Sequence, residues 1–107
     1  MREILFRGKR VIDGKWIESC CPLGEMHYGT VTYDFESKTV CQYTGLTDKN
    51  GRKIFEGDIL KIPEKKNNNV KFEYGQFCVG INCPIAYIRT ECEVIGNIFD
   101  NPELLLK

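Results

Sequence analysis

The chain has 107 residues, of which 42% are hydrophobic and 28% charged, and this length is typical of one domain around one hydrophobic core. Fifteen Lys and Arg residues balance fifteen Asp and Glu residues, so no net charge draws the protein to nucleic acid or anionic lipid over long range. The first residues are charged, and no apolar run approaches the roughly 20 residues that span a bilayer. We therefore expect a cytoplasmic protein with no signal peptide and no membrane partner.

Apolar and polar residues alternate in short runs, which predicts an all-β or mostly-β fold. We expect strands over residues 3–7, 15–17, 30–34, 39–43, 58–62, 70–74, 76–81 and 93–98. The dipeptides Asp13-Gly14 and Asn50-Gly51 are predicted to form tight hairpin turns, because both accept positive φ angles.

Two stretches interrupt this alternation. Residues 19–29 and 63–69 show no clear period and are rich in turn-forming residues, so both are predicted to be loops. A short helix is expected at the end of the chain, with Asn101 as its N-cap and Pro102 in its first turn.

The first predicted hairpin carries a basic cluster that is interleaved with Phe6 and Trp16. Its members are Arg7, Lys9, Arg10 and Lys15. Small β-domains bind single-stranded nucleic acid through such cations and through stacked aromatic rings. With a net charge of zero, a solvated hairpin whose aromatic side chains belong to the core is the simpler interpretation. Nucleic acid is therefore an alternative partner and not the favoured one.

Six cysteines and one histidine raise the question of a metal or catalytic site. Cys78 and Cys83 have a spacing that zinc accepts, and further ligands could come from Cys20, Cys21, Cys92 and His27. The adjacency of Cys20 and Cys21 and the missing second Cys-x-x-Cys knuckle favour reduced, metal-free thiols. No local motif places His27 beside a thiol, and no nucleotide-binding or acyl-transfer motif occurs. We therefore expect no catalytic residue, no metal, no cofactor and no enzymatic activity.

The stretch from residue 70 to 88 holds more apolar residues than one sheet layer can bury. Alternation assigns Phe72 and Tyr74 to one face, together with part of the later residues. We expect some of Ile85, Tyr87 and Ile88 to remain at the surface as a self-association patch, so that the protein forms a homo-oligomer.

Residues 42–60 read QYTGLTDKNGRKIFEGDIL and combine two turn signals with core residues. Gly51 and Gly57 mark tight turns, and Ile54 is suited to the core. Together with residues 2–7, 70–74 and 93–104, this segment resembles the signature of the YopX family of phage and prophage proteins. Residues 11–28 and 78–92 match the family poorly.

The resemblance covers both ends and the middle of the chain, so we take residues 1–107 as one domain of this type. It implies a small β-barrel-like domain, frequent self-association, a phage or prophage origin in a bacterial host cell, and no assigned activity. A similar Gly-Asp turn occurs in SH3-like barrels, so we expect an SH3-like or otherwise closed barrel. The structural signature residues are Tyr43, Gly45, Asp48, Gly51, Ile54, Gly57 and Asp58.

The leading hypothesis is a non-catalytic, self-associating β-domain that acts through contacts with itself or with an unidentified protein partner. The rival hypothesis is an accessory protein that binds single-stranded nucleic acid through the first hairpin. Salt dependence separates the two, because binding to phosphates weakens as the salt concentration rises.

Overall fold

A computed structural model describes residues 4–19, 25–28, 31–80, 83–88 and 90–106, which form ten strands and three short 3₁₀ helices. The strands are β1 (Phe6–Lys9), β2 (Trp16–Ser19), β3 (Glu25–Tyr28), β4 (Val31–Asp34), β5 (Cys41–Thr47), β6 (Lys53–Phe55), β7 (Asp58–Lys61), β8 (Asn68–Glu73), β9 (Gln76–Val79) and β10 (Glu93–Asn97). The 3₁₀ helices span Ser37–Thr39, Ile85–Tyr87 and Pro102–Leu106. None of the helices in this part of the chain is long and apolar enough to cross a membrane.

The mostly-β class predicted from the sequence is confirmed. The strands form antiparallel sheets in the orders β2-β1-β5-β6 and β10-β7-β8-β9, and β3 pairs with β4. No closed barrel is found among the described strands, so the predicted SH3-like barrel is not confirmed. The chain divides into two compact units, Met1–Tyr43 and Thr44–Lys107, and β5 runs through the boundary between them.

The first unit is built around the hairpin of β1 and β2. The pairing sets Lys9 opposite Trp16 and Arg7 opposite Glu18, and the start of β5 pairs along the other edge of β1. The turn of the hairpin is closed by two backbone hydrogen bonds between Arg10 and the segment at Gly14, which has a φ of +70°. The predicted turn at Asp13-Gly14 therefore lies where the sequence places it.

The second unit contains the larger hydrophobic core, to which β6 to β10 and the 3₁₀ helix at Ile85–Tyr87 contribute. The buried residues of this core are Ile54, Leu60, Ile62, Val70, Phe77, Val79, Ile85, Cys92 and Val94. Alternation along β8 and β9 sends Val70 and Val79 into the core, which is the period of two that the sequence predicts.

Several predicted boundaries are shifted by a few residues, β6 is absent from the predicted strands, and three further differences have a physical reason. Residues 25–28 form β3 instead of continuing a loop, because they pair with β4 along their whole length. The predicted loop 63–69 ends early, since β8 starts at Asn68 and pairs with β7. The strand predicted over 39–43 begins only at Cys41 and extends to Thr47, because residues 37–39 form a 3₁₀ turn.

Of the three residues expected to supply a surface patch, Ile85 is not at the surface. Only 1% of Ile85 is exposed, because residues 83–88 fold back against β9 and deliver this side chain to the core. Ile88 is half-buried and packs against the same core. The side chain of Tyr87 lies outside the described part of the structure, so the prediction for Tyr87 stays a prediction.

Candidate functional site

Four of the seven signature residues lie at two turns of the second unit. Asp48 directly follows β5, and its carboxylate accepts three backbone N–H groups: those of Asn50 and Arg52 at Oδ1 and that of Val94 at Oδ2, each at 2.9 Å. Gly51 completes this turn with a φ of +81°. Burial alone raises the pKa of the Asp48 carboxyl, but the three N–H donors outweigh it, and the pKa is lowered. This carboxylate therefore holds a turn.

The second turn joins β6 to β7 and depends on Asp58 and Gly57. Asp58 Oδ2 accepts the backbone N–H of Phe55 at 2.8 Å, and only 1% of Asp58 is exposed. Gly57 has a φ of +88°, and its N–H donates to the carbonyl of Val70 at 2.9 Å. The turn is thereby fixed to the neighbouring strand β8.

The remaining signature residues occupy positions that also serve the fold. Tyr43 and Ile54 are buried, and Gly45 has a φ of +86° within β5. Thr44 lies between Tyr43 and Gly45 in the sequence, and its hydroxyl donates to the carbonyl of Ile54 at 2.7 Å. The signature is thus a set of turn and core residues.

The predicted basic cluster is only partly brought together. The guanidinium carbon of Arg7 lies 4.8 Å and the ammonium nitrogen of Lys9 lies 5.6 Å from the ring centre of Trp16. Arg10 instead forms an ion pair with Asp13, and the backbone N–H of Lys15 donates to the same carboxylate. The pKa of Asp13 is lowered, first by the hydrogen bond from Arg10 and then by that from Lys15.

The described thiols show no metal arrangement. Cys41, Cys78, Cys83 and Cys92 form no disulfide bond, and no group of three or more His, Cys, Asp or Glu side chains among the described residues could hold a metal ion. Burial, followed by the negative charge of Asp48, raises the pKa of the Cys92 thiol. The other predicted candidates, Cys20, Cys21 and the side chain of His27, lie outside the described residues, so the absence of a metal stays a prediction.

One exposed feature was not singled out from the sequence: the tip of the hairpin formed by β8 and β9. Glu73 pairs with Gln76, which leaves Tyr74 and Gly75 as a two-residue turn with φ angles of +52° and +79°. Tyr74 is 98% exposed. The only local signal is the dipeptide Tyr-Gly between two strands, and Gly alone is an ordinary residue for such a turn.

A groove runs along the outer face of this hairpin beside Tyr74. Its volume is about 360 Å³, and its lining includes Lys71, Glu73, Gln76 and Cys78. Lys71 and Glu73 are exposed and point to the same face, because they are two positions apart on β8. We call Lys71, Glu73, Tyr74 and this groove the hairpin surface.

The model of the YopX protein family matches residues 7–106, which include both units and the whole signature segment. The chain belongs to the YopX family. Among solved structures, this YopX chain is similar to protein EF1440 from Enterococcus faecalis, with 26% sequence identity and a TM-score of 0.67. The similarity covers 98% of this chain and 99% of EF1440. No curated protein matches the sequence.

Proposed function

We propose that this YopX protein is a non-catalytic domain that self-associates through the hairpin surface and acts through protein contacts. The observation that carries the proposal is Tyr74, an aromatic residue that is 98% exposed in a left-handed backbone conformation. The proposal keeps the self-association expected from the sequence and moves it from Ile85, Tyr87 and Ile88 to β8 and β9.

The conformation of Tyr74 costs the single chain stability, and packing of its ring does not offset this cost. A residue with a Cβ atom costs about 1 kcal/mol or more in the left-handed region, where Gly or Asn is usual. The exposed ring gains almost no packing energy within the chain to offset this. Residues in such conformations concentrate at sites of contact and function, and tyrosine is enriched where proteins bind one another.

The charges beside Tyr74 suit a second copy of the same chain. In a two-fold symmetric contact, each patch meets itself in the opposite direction. Lys71 of one copy then faces Glu73 of the other, and the pair occurs twice across the axis. The two Tyr74 rings enter the grooves of the opposite copies, where the mostly polar lining offers a partner for the hydroxyl.

The non-catalytic part of the proposal is supported by the state of the buried acids. Both Asp48 and Asp58 accept backbone N–H groups inside the second unit, so their carboxylates serve turns. The phage or prophage origin and the cytoplasm of a bacterial host are proposed from the family resemblance alone.

Charge reversal tests the proposed surface. Sedimentation equilibrium should give a multiple of the 12.3 kDa chain mass for the wild type at micromolar concentrations. Lys71→Glu and Glu73→Lys should each weaken association, because like charges then meet across the axis. The double variant should associate again, since both pairs are restored with reversed sign. Lys65→Glu, in the exposed loop before β8, is the matched control and should leave association unchanged.

A wild type of 12.3 kDa throughout that range would contradict self-association. An oligomer that tolerates both single reversals would contradict the hairpin surface while leaving self-association in place. Failure of the double variant to recover would contradict the two-fold arrangement.

A further inference from the structure

The hairpin of β1 and β2 presents two cations and an aromatic ring on one face. Arg7 and Lys9 are two positions apart on β1, and Lys9 is directly opposite Trp16 on β2. Because side chains alternate along a strand, Arg7, Lys9, Trp16 and Glu18 share this face. We call these four residues the indole face.

We propose that the indole face binds single-stranded nucleic acid, with a base on Trp16 and neighbouring phosphates at Arg7 and Lys9. This inference is independent of the self-association proposed above. It gives the first hairpin a ligand of defined chemistry: a chain of phosphodiesters that carries unpaired, planar bases.

The spacing of the two cations fits such a backbone. Two residues of a strand cover about 7 Å, which is close to the separation of successive phosphates in an extended single strand. An unpaired base can lie on an exposed part of an indole ring, whereas the bases of a duplex are already stacked on one another.

The positions of the two cations allow a base to take their place over the indole ring. The Lys9 ammonium lies 5.6 Å from the ring centre, near the outer end of the range in which cation–π attraction acts. A phosphate can therefore draw the flexible lysine aside at small cost. Arg7 is closer, at 4.8 Å, so its guanidinium must also turn from the ring toward a phosphate when a base binds there.

Two nearby acidic residues, Asp13 and Glu18, reduce the attraction of the first hairpin for phosphate. Asp13 binds Arg10, so Arg10 is not counted among the phosphate contacts. Glu18 is exposed on the same face and lies opposite Arg7, where its charge repels a phosphate. Neutralising Glu18 should therefore strengthen binding, an effect opposite in sign to that of neutralising Lys9.

The protein contains a single tryptophan, so intrinsic fluorescence reports directly on the proposed contact. Oligothymidylate and oligouridylate should quench this fluorescence at low salt, because bases stack on the indole ring. Polyphosphate of equal charge has no bases and should bind without comparable quenching. For two phosphate contacts, the slope of log affinity against log salt should be about −1.4, and Lys9→Gln should reduce its magnitude by about 0.7.

Lys61→Gln is the matched control, because it removes an equally charged, exposed lysine from a strand of the second unit. It should leave quenching and slope unchanged, whereas Glu18→Gln should raise the affinity. With a fluorescently labelled oligonucleotide, Trp16→Leu should lower the affinity about tenfold or more, provided that circular dichroism shows a folded chain.

The proposal is overturned by any of three results. The first is that the oligonucleotides fail to quench the fluorescence of Trp16 at low salt. The second is that polyphosphate quenches it to the same extent, and the third is that Lys61→Gln changes the salt slope as much as Lys9→Gln does. The last two comparisons use variants or ligands that leave Trp16 in place, so they decide the matter even where Trp16→Leu does not fold.

Discussion

The Asp48 carboxylate accepts the backbone N–H of Val94, 46 positions further along the chain, at 2.9 Å. The same carboxylate closes the turn between β5 and β6 through Asn50 and Arg52. One side chain therefore fixes a local turn and attaches it to β10. This relationship explains why an aspartate at that position suits the fold of the second unit.

Replacing Asp48 tests this attachment. Asn at this position retains one acceptor oxygen, but its amide group then faces the N–H of Val94, and two donors meet in a buried place. We expect Asp48→Asn to lower the free energy of unfolding by about 1 to 3 kcal/mol, as measured by urea denaturation. Asp13→Asn, at the exposed turn of the first hairpin, is the control and should have a much smaller effect. Equal urea midpoints for Asp48→Asn and wild type would show that the attachment contributes nothing.

The same carboxylate predicts how stability depends on pH. Although burial raises it, the N–H donors lower the pKa of Asp48 from its ordinary value of 3.8. The unfolded chain therefore takes up this proton at higher pH than the folded chain, so the stabilisation is complete above about pH 5. It is lost as the pH falls through 3.8 towards the lowered value. Urea titrations at a series of values from about pH 6 to about pH 3 cover this loss. The free energy of unfolding should decline more steeply with falling pH for the wild type than for Asp48→Asn. Parallel declines would assign the acid sensitivity to other groups.

Gly57 provides a test of the second signature turn. Its φ of +88° lies in a region that β-branched residues rarely adopt, and its N–H is bonded to Val70. We expect Gly57→Val to lower the free energy of unfolding by about 1 to 3 kcal/mol and to reduce the melting temperature. A variant that melts with the wild type would contradict the left-handed turn.

The parts of the fold predicted from sequence are those that local chemistry decides. Asp13-Gly14 and Asn50-Gly51 mark turns because glycine accepts positive φ angles, and both turns are present with φ values of +70° and +81° at the glycines. The alternation along β8 and β9 likewise places Val70 and Val79 in the core. These assignments need no knowledge of distant partners.

The errors concern residues whose environment depends on distant contacts. Residues 25–28 become a strand through pairing with β4, and their own sequence carries no clear period. Ile85 is buried because Cys83 and Pro84 approach β9, with the N–H of Val79 donating to the carbonyl of Cys83 at 2.9 Å. The number of apolar residues along the chain does not predict that residues 83–88 fold back against β9. The placement of Tyr74 in the strand 70–74 beside Phe72 is wrong for a different reason: Tyr74 lies in the turn after β8, and its backbone conformation opposes the preference of its residue type.

That conflict at Tyr74 gives the last prediction, in which folding and association change in opposite directions. Tyr74→Asn replaces the aromatic side chain by one that accepts a positive φ, so the isolated chain should gain up to about 1 kcal/mol of stability. The same change removes the proposed contact, so sedimentation should show weaker association. Tyr74→Phe is the matched control: it keeps the ring and the backbone strain, so it should retain the stability of the wild type and most of its association, losing only the hydroxyl contact. Because association itself raises apparent stability, urea denaturation is measured at concentrations where every variant is monomeric. A Tyr74→Asn chain that associates like the wild type would assign self-association to another surface, and one that is less stable would show that the exposed ring contributes to folding.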